Sequence, residues 1–247
     1  MHKLLSALVL TTCLTLNLSA AAFDQSVYEN LKQGGSAVSA DLSGADLSGL
    51  NLTGSNLENA NLFGARLADT DLTGTNLNGA NLKTANLENA KLNQAQIKNA
   101  DLSYANLGFA SLKEANLSGS QLYRSNLRGA TLEAATLYET NLQEATLDKA
   151  NLHLVDATNA NFSFAWLFQA DFSRANLTSA RLYFVKGDYS NFDNANLEDT
   201  TLSKGTFTNS SFNKARLNRA LLSDTDFSNA SLKETFWGTA NITEAKF

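Results

Sequence analysis

A chain of 247 residues with 43% hydrophobic residues is long enough to bury a substantial core, and the absence of proline gives no sign of a linker between domains. Its formal net charge of −5, with no block of clustered Lys and Arg, leaves no footprint for nucleic-acid binding. A single cysteine rules out an internal disulfide framework.

Met1 to Ala22 is expected to be a secretory signal. His2 and Lys3 form a short basic head, Leu4 to Leu18 is an apolar stretch broken by Thr and Ser, and Ala20 and Ala22 make an A-x-A pair that places cleavage after Ala22. An uncleaved membrane anchor is the competing reading, but the apolar stretch is shorter than the ~20 residues that span a bilayer and no stop-transfer flank follows. Cys13 follows Leu10-Thr11-Thr12, a loose likeness to a lipoprotein box, and the Thr directly before it argues against lipidation. Cleavage would leave 18 basic and 24 acidic residues and no cysteine. The expected destination is an exported compartment: the periplasm, a thylakoid lumen or secretion, with no membrane association after cleavage.

Residues 23–39 are expected to form an N-terminal capping element. Asp24 can serve as N-cap, Phe23, Val27 and Leu31 share one helical face, and Gly34-Gly35 is a stop signal, so the pattern predicts a helix over Phe23 to Gln33. So short a helix is marginal alone in water. Its apolar face needs a surface to cover, and the open end of a repeat stack supplies one.

From Ala40 to Phe247 the chain is written in fives. Ala40-Asp41-Leu42-Ser43-Gly44 is followed by Ala45-Asp46-Leu47-Ser48-Gly49, and the register runs through 42 units without an insertion. On a helix a Leu every fifth position would wander around the surface, and on a plain strand successive Leu would point to opposite faces. The pattern can be buried if each unit is one side of a coil, a short extended segment closed by a corner. With the central apolar residue called i, that position is Leu in thirty units, Phe in seven and Ile in two, and position i−2 is Ala in twenty-seven. One large and one small side chain per unit suit a narrow, close-packed interior. Where i shrinks to Ala157 or Gly187, i−2 grows to Val155 or Val185. Position i−1 is Asn or Asp in 23 units and eight glycines stand at i+2, which is turn chemistry. Phe172, Phe192 and Phe212, and likewise Phe207, Phe227 and Phe247, are spaced by twenty. Four-sided coils would stack them in two columns, whereas three-sided coils would scatter them.

Units such as Ala60-Asn61-Leu62-Phe63-Gly64 and Ala80-Asn81-Leu82-Lys83-Thr84 resemble those of the pentapeptide repeat family over about Ala40 to Phe247. The resemblance implies an all-β fold, a right-handed quadrilateral β-helix with four units per coil, here preceded by a short capping helix. At the ~4.8 Å spacing of paired strands the rod would be on the order of 50 Å long.

No catalytic, cofactor or metal constellation emerges from the sequence. His153 is the one histidine after the leader and occupies an outward i+1 slot, where a solvated role is expected. The carboxylates, including Asp41, Asp46, Asp69, Asp71 and Asp101, fill slots that hold Asn elsewhere, so they read as turn and solubility residues. The chain is accordingly expected not to be an enzyme.

The outward aromatics are more informative. They fall mainly on the side centred on Leu42 and on the next side. Phe164, Trp166, Phe168, Tyr183, Phe184 and Tyr189 are expected on two adjacent coils, as a patch that either binds a partner or covers a wall made defective by Ala157 and Gly187. Lys149, Arg174, Arg181 and Lys186 bring positive charge near them. The last coil carries Phe236, Trp237 and Phe247, candidates for an end at which two copies pair; family members that dimerise through their C-terminal coils imply the same. Two functions follow: an exported scaffold for an unknown protein partner, or the DNA mimicry of a type II topoisomerase binder that the resemblance also implies. The second needs a cytoplasmic, strongly negative surface, which the leader and mixed charge oppose.

Overall fold

The computed structural model describes residues 25–247, so the leader, Phe23 and the N-cap candidate Asp24 lie outside the described residues. The first element is helix α1, Gln25–Lys32. Its Leu31 is fully buried in the same core as the repeats, with Val27 and Tyr28 packed partly buried against it. Gly34, at a φ of +81°, ends the helix with its N–H on the Leu31 carbonyl.

Beyond α1 the bridges are parallel and uniform in step. Asp41 pairs with Asn61, Asp46 with Arg66 and so on to Asp226 with Lys246, always twenty residues apart. Each coil therefore has four sides of five residues, and three-sided coils are excluded. The sides are numbered 1 to 4 from the one centred on Leu42. No side carries more than an isolated bridge, because each side turns a corner before a second pair can form.

Four of the five N–H groups of a unit are bonded to backbone. The Leu42 N–H donates to the Asn61 carbonyl of the next coil (2.8 Å), the Asn61 N–H to the Ala40 carbonyl of the coil before (2.8 Å), the Gly44 N–H to the Phe63 carbonyl (2.8 Å), and the Ala45 N–H closes the turn on Leu42 (3.0 Å). The fifth, at i+1, has no backbone acceptor. At Ser43 it donates to Asp41 Oδ1 at 3.1 Å, and Thr53, Glu58, Lys83 and Arg128 repeat the bond to Asn51, Asn56, Asn81 and Asn126. The Asn/Asp preference at i−1 is thus the answer to one leftover donor per unit.

The corner also needs a left-handed residue. Position i+2 has positive φ in every complete unit except at Thr239, where Gly238 takes it instead. Glycine meets this need at Gly44 and Gly49, but most i+2 residues are not glycine and hold φ between 54° and 62°.

Inside, the Leu and Phe positions are fully buried from Leu52 to Phe227, and the Ala positions between them likewise. Thr70, Thr75, Thr140, Thr200 and Thr225, standing for Ala at i−2, each donate to a Leu carbonyl of the coil below at 2.8 to 3.1 Å, so none brings an unsatisfied hydroxyl into the core. The two Phe columns form as the spacing predicts. Phe172, Phe192 and Phe212 stack with centroids 4.9 and 4.7 Å apart, while Phe207, Phe227 and Phe247 stack at 5.7 and 5.8 Å. The Phe207 ring uses space that two glycines leave free: a Cβ on Gly187 would lie 2.7 Å from two of its ring carbons, and a Cβ on Gly205 would lie 2.7 Å from a third.

Gly187→Ala is expected to lower stability by about 1 to 3 kcal/mol through overpacking. The added carbon should be tolerated much better when Phe207 is also changed to Leu. Thermal melts of both variants followed by circular dichroism provide the check; an equal loss in the two would disprove the wedge.

Candidate interaction surface

The outward aromatics are presented by the corner between sides 1 and 2 and by side 2 itself. The i+2 column of side 1 runs Tyr104, Arg124, Glu144, Phe164, Phe184, Lys204, one residue per coil. Phe164 and Phe184 stack face to face (5.6 Å between centroids, 8° between planes), and Tyr183 stands edge-on to both at 5.8 and 4.8 Å. On side 2, Phe168 and Tyr189 meet at 5.6 Å. Trp166, on the same side, carries the Lys186 ammonium over its ring at 4.2 Å. The six residues thus fall into two ring clusters with Trp166 projecting beside them, and all but the half-buried Tyr183 are exposed, from 38% at Phe168 to 55% at Tyr189.

Three of them hold positions that local structure disfavours. Phe164, Phe184 and Tyr189 have φ of 62°, 54° and 62°. For a bulky residue without a backbone-bonding side chain this costs on the order of 1 kcal/mol. Trp166 occupies the i−1 slot, where an Asn or Asp would satisfy the Phe168 N–H. That donor is bonded instead to Asp148 Oδ1, from the coil below, at 3.0 Å. The same substitution of roles recurs where Gln96, Ser111 or Thr206 fills i−1: Asn78, Asn93 and Asp188 reach up from the preceding coil.

Gly187 leaves no gap for the outer rings to cover. Its space is taken from inside by Phe207, while Phe184 lies on the corner against Phe164.

Beside the aromatics is a groove of about 400 Å³ lined by Arg124, Glu144, Phe164 and Trp166. Arg124 Nε donates to Glu144 Oε2 at 2.7 Å and the Tyr123 hydroxyl to Glu144 Oε1 at 3.0 Å. The Arg124 hydrogen bond holds the Glu144 carboxyl below its usual range, whereas desolvation, then the bond to Glu144, pushes the Tyr123 hydroxyl up. The Arg124–Glu144 pair therefore stays ionised across neutral pH. Arg124 and Glu144 are not evident from unit-by-unit reading; the twenty-residue step from Tyr104 to Phe164 is the signal that would have found them.

The three residues of the last coil do not share one surface. Trp237 and Phe247 point inward and continue the core, Trp237 half-buried and Phe247 59% exposed, with Ile242 beside them at 48%. Phe236 points outward on side 4 and, with Arg216, lines a second groove of about 320 Å³. His153 is half-buried, its Nδ1 2.8 Å from Ser173 Oγ. Among the described residues no group of His, Cys, Asp or Glu is arranged to hold a metal ion, and no helix is long and apolar enough to cross a membrane.

The uniform four-sided coil and its Ala-Asx-Leu units define a repeat solenoid. The Pentapeptide repeats profile matches in overlapping segments over residues 40–186 and 190–247, and the chain belongs to that family, whose members fold as right-handed quadrilateral β-helices. It is similar to HetL, a pentapeptide repeat protein involved in heterocyst differentiation regulation from the cyanobacterium Nostoc sp. strain PCC 7120, at 26% identity over 91% of this chain and 96% of HetL, with a TM-score of 0.79. Two further likenesses are much looser. QnrB1, a plasmid-mediated fluoroquinolone resistance protein, matches at 20% identity over 86% of this chain and 90% of its own, TM-score 0.33. A pentapeptide repeat protein of the Arabidopsis thaliana thylakoid lumen matches at 27% identity over 49% and 75%, TM-score 0.23. No curated protein sequence matches the chain.

Asp148→Ala should destabilise the protein by about 1 kcal/mol, because the Phe168 N–H loses its acceptor. In a Trp166→Asn background the same change should matter little, since the introduced amide would take the bond over. Urea melts of the four proteins close this cycle, and additive losses would refute the exchange of roles.

Proposed function

We propose that the protein is an exported, non-enzymatic scaffold that acts through protein–protein interaction, with Phe164, Trp166, Phe168, Tyr183, Phe184 and Tyr189 as its docking surface. The observation that carries this reading is that exposed rings occupy left-handed corners and an Asx slot, where the backbone favours other residues. Large side chains kept at positions that resist them, and exposed there, are accounted for by contact with a partner. Export rests on the leader of residues 1–22, with periplasm or thylakoid lumen as the compartment. Within the domain plan of 1–22, 23–39 and 40–247, α1 serves as the N-terminal cap, supported by the burial of Leu31. HetL's involvement in differentiation regulation favours a regulatory over a metabolic role.

The alternative, DNA mimicry toward a type II topoisomerase, finds little support in a surface where Lys149, Arg174, Arg181, Lys186 and Lys204 cluster within a few coils. Inhibition of supercoiling at sub-micromolar concentration would reverse this ranking.

Fractionation of the native protein with N-terminal sequencing should place a chain beginning near Phe23 in an exported compartment. A cytosolic protein still beginning at Met1 would end the export reading. Crosslinking in that compartment should yield a partner adduct that is lost in the Phe164→Ala/Trp166→Ala variant; an unchanged adduct would move the docking surface elsewhere. For the homodimer proposed through the last coil, sedimentation should show a dimer that Phe247→Glu dissociates, and a monomer at micromolar concentration would count against it.

A further inference from the structure

Resting on the docking surface proposed above, we infer that its occupant is an extended acidic protein segment, lying along the corner between sides 1 and 2 with an apolar side chain in the groove between Glu144 and Trp166.

Charge complementarity is the main argument. The chain is acidic overall, at −5, yet the corner is locally inverted. Arg181, Lys186 and Lys204, with Lys149 and Arg174 nearby, have no carboxylate within ion-pair distance among the described residues, as also holds for Lys83, Lys98, Arg128, Lys233 and Lys246 elsewhere, whereas eight cations, Arg124 among them, are paired with acids. The nearby acids are already engaged. Asp148 accepts from the Phe168 N–H, Asp188 accepts from the Thr208 N–H and from the hydroxyls of Thr206 and Thr208, and Glu144 is held by Arg124 and Tyr123.

Ring orientation points the same way. The ammonium groups of Lys186 and Lys204 lie over the faces of Trp166 (4.2 Å) and Phe184 (5.5 Å), and Phe164 and Phe184 cover one face of each other. An aromatic ring is electron-rich on its face and electron-poor at its edge. With one face of Trp166 under Lys186 and the facing sides of Phe164 and Phe184 against each other, the corner offers ring edges and ammonium groups suited to carboxylates. Phe164 and Trp166 help line an open, shallow groove of about 400 Å³.

The reach of the stripe sets the size of the occupant. From Arg124 to Lys204 is four coil steps, about 19 Å at the spacing of paired strands, which an extended chain covers in about six residues.

The test is selection of displayed random hexapeptides on the purified full chain, with counter-selection on Phe164→Ala/Trp166→Ala. Enriched peptides should carry Asp or Glu around a central apolar residue. Their affinity should fall about tenfold or more on Lys186→Gln/Lys204→Gln, and fall further with added salt, as expected for partly exposed ionic contacts. Thermal melts verify that each variant is folded. Enriched peptides that are neutral or basic, and indifferent to Lys186→Gln/Lys204→Gln, would overturn the acidic partner while leaving the docking surface in place. No peptide dependent on Phe164 and Trp166 would overturn both. Binding to phosphatidylglycerol vesicles that requires Lys186 and Lys204, without peptide enrichment, would overturn the proposal in favour of a membrane surface.

Discussion

One backbone N–H per five residues decides how this rod is written. Coil stacking and the corner turn together consume the other four, so the i+1 donor must find a side chain or remain unbonded at a half-covered wall. Asn or Asp at i−1 is the local solution, and it also ties coils together: Asn61 Nδ2 donates to Asp41 Oδ1 at 2.8 Å and Asn81 Nδ2 to Asn61 Oδ1 at 3.0 Å, so the same amides run as ladders up the side. A second solution exists in an Asx residue at i+1 of the coil below, as at Asn78 and Asn93. Because the donor can be served from two places, i−1 can be released for other use. Trp166 stands in a released slot, with Asp148 doing the bonding beneath it.

The left-handed corner sets a parallel constraint. Gly or Asn is the least strained residue at i+2, yet the column of side 1 places Tyr104, Phe164 and Phe184 there. Coil stacking holds the backbone in this geometry whatever the residue, since the i+2 N–H is bonded to the next coil, as from Phe164 to Tyr183 at 2.8 Å. The penalty is thereby spread over a cooperative array in which no corner can relax alone. Such an array can carry strained surface residues that a lone turn would reject.

Much of the fold is legible because the repeat never breaks register. The period of five excludes helix and plain strand, and the Phe spacing of twenty favours four sides, which the bridges from Asp41 to Lys246 display. Among the described residues α1 stops at Lys32, one residue before the expected Gln33, and the partly buried Val27 and buried Leu31 lie on the face the pattern predicts. What cannot be read is anything requiring two coils at once. Glycine at i+2 suggests positive φ, but not that Phe164 or Glu144 would share it, because the stacking that enforces it is invisible in one unit. Unit-by-unit reading assigns the volume at Gly187 to Val185 and an outer ring, whereas Phe207, one coil up, fills it. The aromatic residues of the surface stand out in the sequence, but the Arg124 and Glu144 wall of the groove does not, since charged pairs look the same whether or not rings flank them.

Core and surface change character over the same units. Gly187 is the buried position of the unit whose outer residues are Lys186 and Tyr189, and Phe207 beneath the next wall restores the lost volume from within. Thirty other units place Leu at the position that Gly187 holds. The Phe columns begin at Phe172 and Phe207, flanking the coil that carries Tyr183, Phe184, Lys186 and Tyr189. Stacked rings at 4.7 to 5.8 Å replace Leu in this part of the interior and add ring–ring contact to the area they bury. Rings already packed in place at the proposed docking surface would lower the entropy lost when a partner binds. The irregular half of the rod thus sets a core of stacked Phe rings beneath a wall whose left-handed corners carry aromatic rings and their cations.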